Sequence, residues 1–398
     1  MRRKQSLFLG SLALEQGLFP THCVTSLKQS LFLGSLALSF FLVGGIEAKD
    51  NGFEFNFPEG IENCNPNTPS PNHDGTPLAS DKVADAIPCK VSITEVYVTQ
   101  MSVGKAVAQC KMVSVEEDVN DILDDYSTKK RDKIQALNNY LWEEGKTQRK
   151  VPLIIGLDGR FYITDHHHMS WAVWDYADSQ GISDKDKKDI ILQGVIAANW
   201  QDKAAESLPT FWNAMEDAGK AWFYDENGQP MATETKEKKR GGFPENFGKM
   251  KDDVFRSVSR WEREACLYLK TGKEQCSGST FAGSDGKANQ QMSDFMEFRW
   301  GNYLRNVIST TWDKDDQPSA RDLESPKKLT KIYKKLIPSM FDDTAIDAYF
   351  NAQPGWGNAD KYGRNTSMDE HYWKLAFGDE TADGDALKCE IAPDLRSN

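Results

Sequence analysis

Asp165, His166, His167 and His168 stand in succession, and the three histidines are half of the six in the chain. A carboxylate followed by imidazoles can orient a general base, ligate a metal ion or, at the start of a helix, surround an anion. Three readings of the run are open. In the first, the N–H groups at a helix start capture a phosphate, and one or two imidazoles add hydrogen bonds. In the second, His167 and Asp165 ligate a divalent metal ion, the one candidate cofactor. Successive helical residues diverge by about 100°, so three adjacent histidines do not share one ion, and the site would borrow Asp252, Asp253 or Glu297. In the third, the run is a capped helix with satisfied polar side chains, although burying titratable groups without a role is costly. The positive end of the helix dipole disfavours protonated imidazole, so neutral rings are expected.

A second group lies further on. Asp253, Arg256, Ser257 and Arg260 share one face of a helix, so Asp253 could orient either arginine toward an anion. An exposed, salt-bridged face is the plainer alternative. Glu297 and Arg299 make a similar pair on a helix that buries Phe295, Phe298 and Tyr303. Lys327, Lys328, Lys331, Lys334 and Lys335 form a basic stripe, read as a solvated face. No Walker loop, GxSxG elbow or HExxH motif is present.

The elements that must position these side chains follow from local patterning. Val151–Leu157 is an apolar run, and Asp158-Gly159 suits the positive φ angles of a tight hairpin, with Phe161–Thr164 returning as a second strand. Met169, Ala172, Val173, Tyr176 and Ala177 recur at helical spacing up to a capping Gly181. Asp165 is therefore expected at the N-cap and the histidines in the first turn, one inward, one at the rim, and one packed or exposed. A strand is expected over Val91–Gln100, an amphipathic helix over Tyr126–Trp142 and a buried strand over Ile190–Trp200. A helix begins at Ser207 with Pro209. A hairpin follows around Trp222–Gln229, then a polar, exposed loop over 233–247. Helices are expected over Asp252–Leu269, Ser293–Ile308 and Leu329–Phe350. Strands first and helices later give an α+β domain.

Strand, Asp-Gly hairpin, strand, then an acidic residue with histidines opening a helix resembles the ParB-like nuclease domain of the ParB/sulfiredoxin superfamily, in a histidine-run variant. Thr99-Gln100-Met101-Ser102-Val103-Gly104, Trp222-Phe223-Tyr224-Asp225, Asp252-Asp253 and Phe295–Arg305 resemble that family in the same order. Many superfamily members read Asp-Gly-His-His-Arg here; this chain has His166 at the glycine and Met169 near the arginine. The resemblance implies a small mixed sheet with flanking helices, a helical C-terminal half and a phosphate-containing small molecule or nucleic acid fragment as ligand. It also implies that His167 is the inward histidine and that the catalytic set is Asp165, His166, His167 and His168, with Asp253, Arg256, Ser257, Arg260, Glu297 and Arg299 binding substrate. Sulfiredoxin-like chemistry needs a cysteine beside the histidine, and that position here is also histidine.

The net charge of −12 opposes generic affinity for a phosphate polymer over most of the surface and leaves room for a local basic patch. Residues 1–48 read as a signal peptide, with an uncleaved anchor as the alternative. Within them Lys4–Leu14 recurs unchanged as Lys28–Leu38. Residues 49–90 read as a linker or an irregular arm, which a cysteine could staple, 91–231 as the α/β core, 232–350 as its helical continuation and 351–398 as a loosely held tail. Export suits disulfides, with Cys266–Cys276 the local pairing. It opposes a chromosome-partitioning role and an ATP- or CTP-driven switch, and after cleavage it implies no stable membrane association. Two functions follow: an exported nuclease-type hydrolase acting on phosphodiesters or phosphates, or a non-catalytic module for a phosphorylated or anionic ligand.

Overall fold

The apolar run at Val151 needs cover on both faces, and it has it. Val151, Leu153, Ile154 and Ile155 are fully buried in a strand at the centre of a five-stranded mixed sheet. The computed structural model describes residues 55–123, 129–264, 295–311 and 343–352. The strands are β1 (Cys89–Ser92), β2 (Val96–Tyr97), β3 (Ser102–Val103), β4 (Lys150–Ile155), β5 (Phe161–Ile163), β6 (Ile191–Asn199) and β7 (Lys251–Asp252). The main sheet has the order β1-β6-β4-β5-β2, and β3 pairs with β7 in a separate two-stranded ladder. β4 runs parallel to β6 and antiparallel to β5, and β5 is parallel to the edge strand β2.

The hairpin forms as the dipeptide requires. Asp158 (φ 54°) and Gly159 (φ 72°) are both left-handed, and Arg160 N–H donates to Leu157 O at 3.0 Å, closing a type I′ turn. The histidine helix, His167–Ser179, ends in a Schellman motif. Gly181 takes φ 69°, its N–H reaches Asp178 O at 3.0 Å, and Ile182 N–H reaches Ala177 O at 2.9 Å. Its start differs from expectation. The helix begins at His167 with His166 as N-cap at φ 67°, and Asp165 lies one residue further out, its Oδ1 accepting from His166 N–H at 2.7 Å. Left-handed backbone is the region that glycine enters without steric cost, so His166 holds a conformation that favours glycine.

Other boundaries also shift. The expected strand Val91–Gln100 is broken, because Ser92 and Glu95 form a capping box around a single 3-10 turn, Ile93–Glu95, and the chain bends between β1 and β2. A long helix, Lys105–Ile122, was not expected at all, and it packs against both the histidine helix and the amphipathic helix Lys130–Leu141. Ile134, Leu137, Tyr140 and Leu141 line the buried face of the latter. Helix Leu208–Asp217 starts as anticipated, with Ser207 Oγ accepting from Thr210 N–H at 3.1 Å. The stretch 233–247 is not wholly an exposed loop. Phe243 and Phe247 are buried, and Lys238 O and Lys239 O accept from Trp212 Nε1 and Tyr162 OH at 3.1 and 2.9 Å. The helical continuation comprises the arginine helix Val254–Glu264, the helix Met296–Thr311 and Asp343–Ala352.

The arm is stapled by a disulfide between Cys64 and Cys89, the first residue of β1. Cys266–Cys276, the lysine stripe at 327–335, the segment 1–48 and the tail lie outside the described residues. Among the described residues no helix is long and apolar enough to cross a membrane.

Candidate active site

β5 delivers the chain to Asp165, and the first turn of the histidine helix separates the three imidazoles as its geometry dictates. His166 is half-buried at the helix entrance. His167 points into the protein and is 4 % exposed. Its Nε2 accepts from Thr99 N–H at 3.4 Å and lies 3.3 Å from Thr99 Oγ1, which itself donates to Ile163 O at 2.6 Å. Thr99 O in turn accepts from Trp222 N–H at 2.9 Å. The main-chain donor makes Nε2 the acceptor, so a neutral His167 ring carries its proton on Nδ1. His167 is thus the inward histidine, but its outer nitrogen is engaged by Thr99 in the bend between β2 and β3.

His168 meets the second constellation. Its Nε2 lies 3.3 Å from Gly104 N–H, and its Nδ1 lies 3.5 Å from Arg256 Nη2. A neutral ring offers one acceptor nitrogen to these two donors, and a protonated ring offers none. Burial pushes the His168 pKa well below its usual value; Arg256, Lys111 and Arg260 push the same way, and Glu297 opposes them. His168 is therefore neutral at physiological pH.

The arginine helix presents Arg256, Arg260 and Arg263 toward Glu297. Glu297 Oε1 meets Arg263 Nη1 at 2.5 Å and Arg260 Nη1 at 3.4 Å, while Oε2 lies 3.7 Å from Arg256 Nε. Arg256 also stacks on Phe298 at 3.9 Å and donates to Ser102 O at 2.9 Å. Arg260 is the most accessible of the three, with 22 % of its side chain exposed. Asp253 does not orient Arg256 through its guanidinium. Its Oδ1 caps the arginine helix by accepting from Arg256 N–H at 3.0 Å, and the same oxygen pairs with Arg305. Burial pushes the Asp253 carboxyl up despite that arginine. Ser257 is buried against Gly104, and Arg299 stacks on Trp222 at 5.9 Å.

The structure therefore joins His168, Arg256, Arg260 and Glu297 and keeps Asp165 and His167 on separate partners. Among the described residues no group of three or more His, Cys, Asp or Glu side chains is placed to hold a metal ion. Sequence reasoning missed Thr99, Arg263, Arg305 and the cap that Asp252 places on the long helix, where its Oδ1 accepts from Lys105 N–H at 2.8 Å. Arg263 was within reach, since it continues the Arg256–Arg260 face at helical spacing. The contacts of Thr99 and Asp252 join residues far apart in the chain and left no local signal.

A hairpin feeding a histidine-bearing helix start, set in a mixed sheet with flanking helices, defines an α+β fold of the ParB-like class. Residues 89–277 match the family model described as putative ParB-like nuclease. The match opens at the first residue of β1 and covers the histidine run and the arginine helix. Among solved structures the chain is similar to protein Atu1540 from Agrobacterium tumefaciens. Identity is 20 %, coverage 62 % of this chain and 89 % of that one, and the TM-score 0.37. No curated protein matches the chain.

Proposed function

We propose that the chain is an exported, nuclease-type enzyme that processes phosphodiesters or phosphates. The observation that carries this reading is the meeting of His168 with Arg256 and Gly104 N–H, which puts a histidine-bearing helix start beside a cationic face in an otherwise acidic protein. The N–H groups of His168 and Met169 have no intrahelical acceptor and favour an anion. Arg256 and Arg260 offset charge developing on phosphorus-bound oxygens. In this reading His166, half-exposed at the helix entrance with Asp165 fixing its backbone, takes a proton from an attacking water. The new P–O bond then displaces the ester oxygen, which leaves with a proton from solvent. The family supports a nuclease-type activity, and with it contact to nucleic acid, at this coarse level.

The non-catalytic binding module is the second reading, and one observation favours it. His168 is held neutral between two donors, an arrangement that accepts hydrogen bonds and does not shuttle protons. Both readings are tested by metal analysis of the purified chain and a release assay on nucleic acids and nucleotides, alongside calorimetric titration. Arg260→Ala should weaken phosphate or nucleotide affinity by about 1.5–3 kcal/mol with little change in melting temperature. His166→Ala should abolish release and keep affinity if the chain is an enzyme. Wild-type binding without turnover selects the module, and absence of both binding and turnover removes the proposal.

A further inference from the structure

Ser102, Ser257 and Gln100 are 0 %, 1 % and 2 % exposed, yet Ser102 Oγ, Ser257 Oγ and Gln100 Nε2 have no hydrogen-bond partner. Buried hydroxyl and amide groups are ordinarily paired, so several orphans at one locus call for a cause. The locus is confined. Arg256 Nη1 donates to Ser102 O, Ser257 follows Arg256 in the chain, and Gln100 precedes Ser102 by two residues. A Cβ built on Gly104 would lie 2.6 Å from Ser257 Oγ and 2.8 Å from Ser257 N. The serine hydroxyl therefore sits against the backbone whose N–H faces His168. Gly104 allows that approach, which brings the start of the long helix onto the start of the arginine helix.

The acceptors nearby are already engaged: Asp252 and Asp253 Oδ1 accept from Lys105 and Arg256 N–H at the two helix starts, and Ser102 O accepts from Arg256 Nη1. Of the orphans, Gln100 Nε2 can only donate, and the two hydroxyls can turn to donate. A partner shared by all three is thus an acceptor with several lone pairs. We propose that Ser102, Ser257 and Gln100 form the inner wall of an oxyanion subsite behind Arg256, taking the oxygens of a phosphate-type tetrahedral anion. Enclosure limits what enters to the oxygens themselves. Any organic substituent stays on the side of Arg260, whose side chain is the accessible one. The inference rests on the phosphate-binding reading above and extends it to residues that reading does not use.

Calorimetric titration of the full chain with inorganic phosphate tests it. Ser102→Ala and Ser257→Ala should each lower phosphate affinity by roughly tenfold, the loss of one hydrogen bond to a charged ligand. Neither should lower the melting temperature without phosphate, because each removes a hydroxyl that has no partner. Tyr176→Phe removes another orphan hydroxyl, further along the histidine helix, and should leave affinity unchanged. Unaltered phosphate affinity in both serine variants would overturn the subsite alone, as would a lowered melting temperature in the absence of phosphate. A wild-type chain that binds no phosphate would overturn the phosphate-binding reading together with it.

Discussion

His168 and His167 are neighbours with opposite consequences. Burial and the adjacent cations lower the His168 pKa below the ordinary 6.5 that it regains on unfolding. The unfolded chain therefore binds more protons at this position once the pH drops below that value. Stability contributed here is complete above pH 6.5 and is lost as the pH falls toward the folded-state pKa. Urea midpoints at neutral and mildly acidic pH should show this decline in the wild type and a shallower one in His168→Asn. His167 instead anchors Thr99, so His167→Ala should cost about 1–3 kcal/mol of stability through the buried groups it leaves unpaired. This departs from the small cost expected of an imidazole lining a cleft. A melting temperature equal to that of the parent would return His167 to the cleft.

At the scale of elements, the site depends on where helices begin. His166 adopts a left-handed conformation that strains any residue with a Cβ. His166→Gly should therefore stabilise the fold by about 1 kcal/mol, read as a higher denaturation midpoint, while removing the imidazole proposed as base. The long helix has Gly104 at its N-cap with no side-chain cap of its own, and Asp252 supplies one from β7. Asp252→Ala should cost about 1 kcal/mol and loosen the β3–β7 ladder that holds Ser102 beside the arginine helix. Hydrogen exchange at Lys105 and its neighbours would register that loss, and unchanged protection there would show that the cap is dispensable.

For the whole molecule, the arm is part of the fold. Cys64 lies across the edge strand β1, its N–H donating to Lys90 O at 2.8 Å, and further along Ser70 Oγ bonds both main-chain groups of Asn199 at 2.8 and 3.0 Å. The disulfide closes a loop with a sequence separation of 25. Removing it by the Cys64→Ser, Cys89→Ser pair should cost about 3 kcal/mol on chain-entropy grounds. Thermal melts with and without reductant check this, and a reductant-insensitive wild type would mean that the bond is not formed. The disulfide sits on the edge strand β1, and β6 and β4 lie between it and β5, the strand that leads to the histidines. Loss of the bond should therefore lower stability more than anion affinity.

The sequence by itself determined the features that local chemistry controls. A two-residue turn needs positive φ at both positions, and Asp158-Gly159 declares it. Helical spacing likewise declares the buried side of the histidine helix and the common face of Arg256 and Arg260. The long helix escaped because Val107, Val113, Val115 and Val119 are β-branched and weak helix formers, and contact with the histidine helix overrides that preference. Tertiary structure alone decided the rest: that Asp165 stands outside the cap, that Thr99 takes His167, that Arg256 meets His168, and that Cys64 finds Cys89. Each of these joins groups through a backbone angle or a long-range contact, and neither leaves a periodic trace in the chain. The side chains able to act on an anion could be read from the sequence. Which nitrogen faces which donor required the fold.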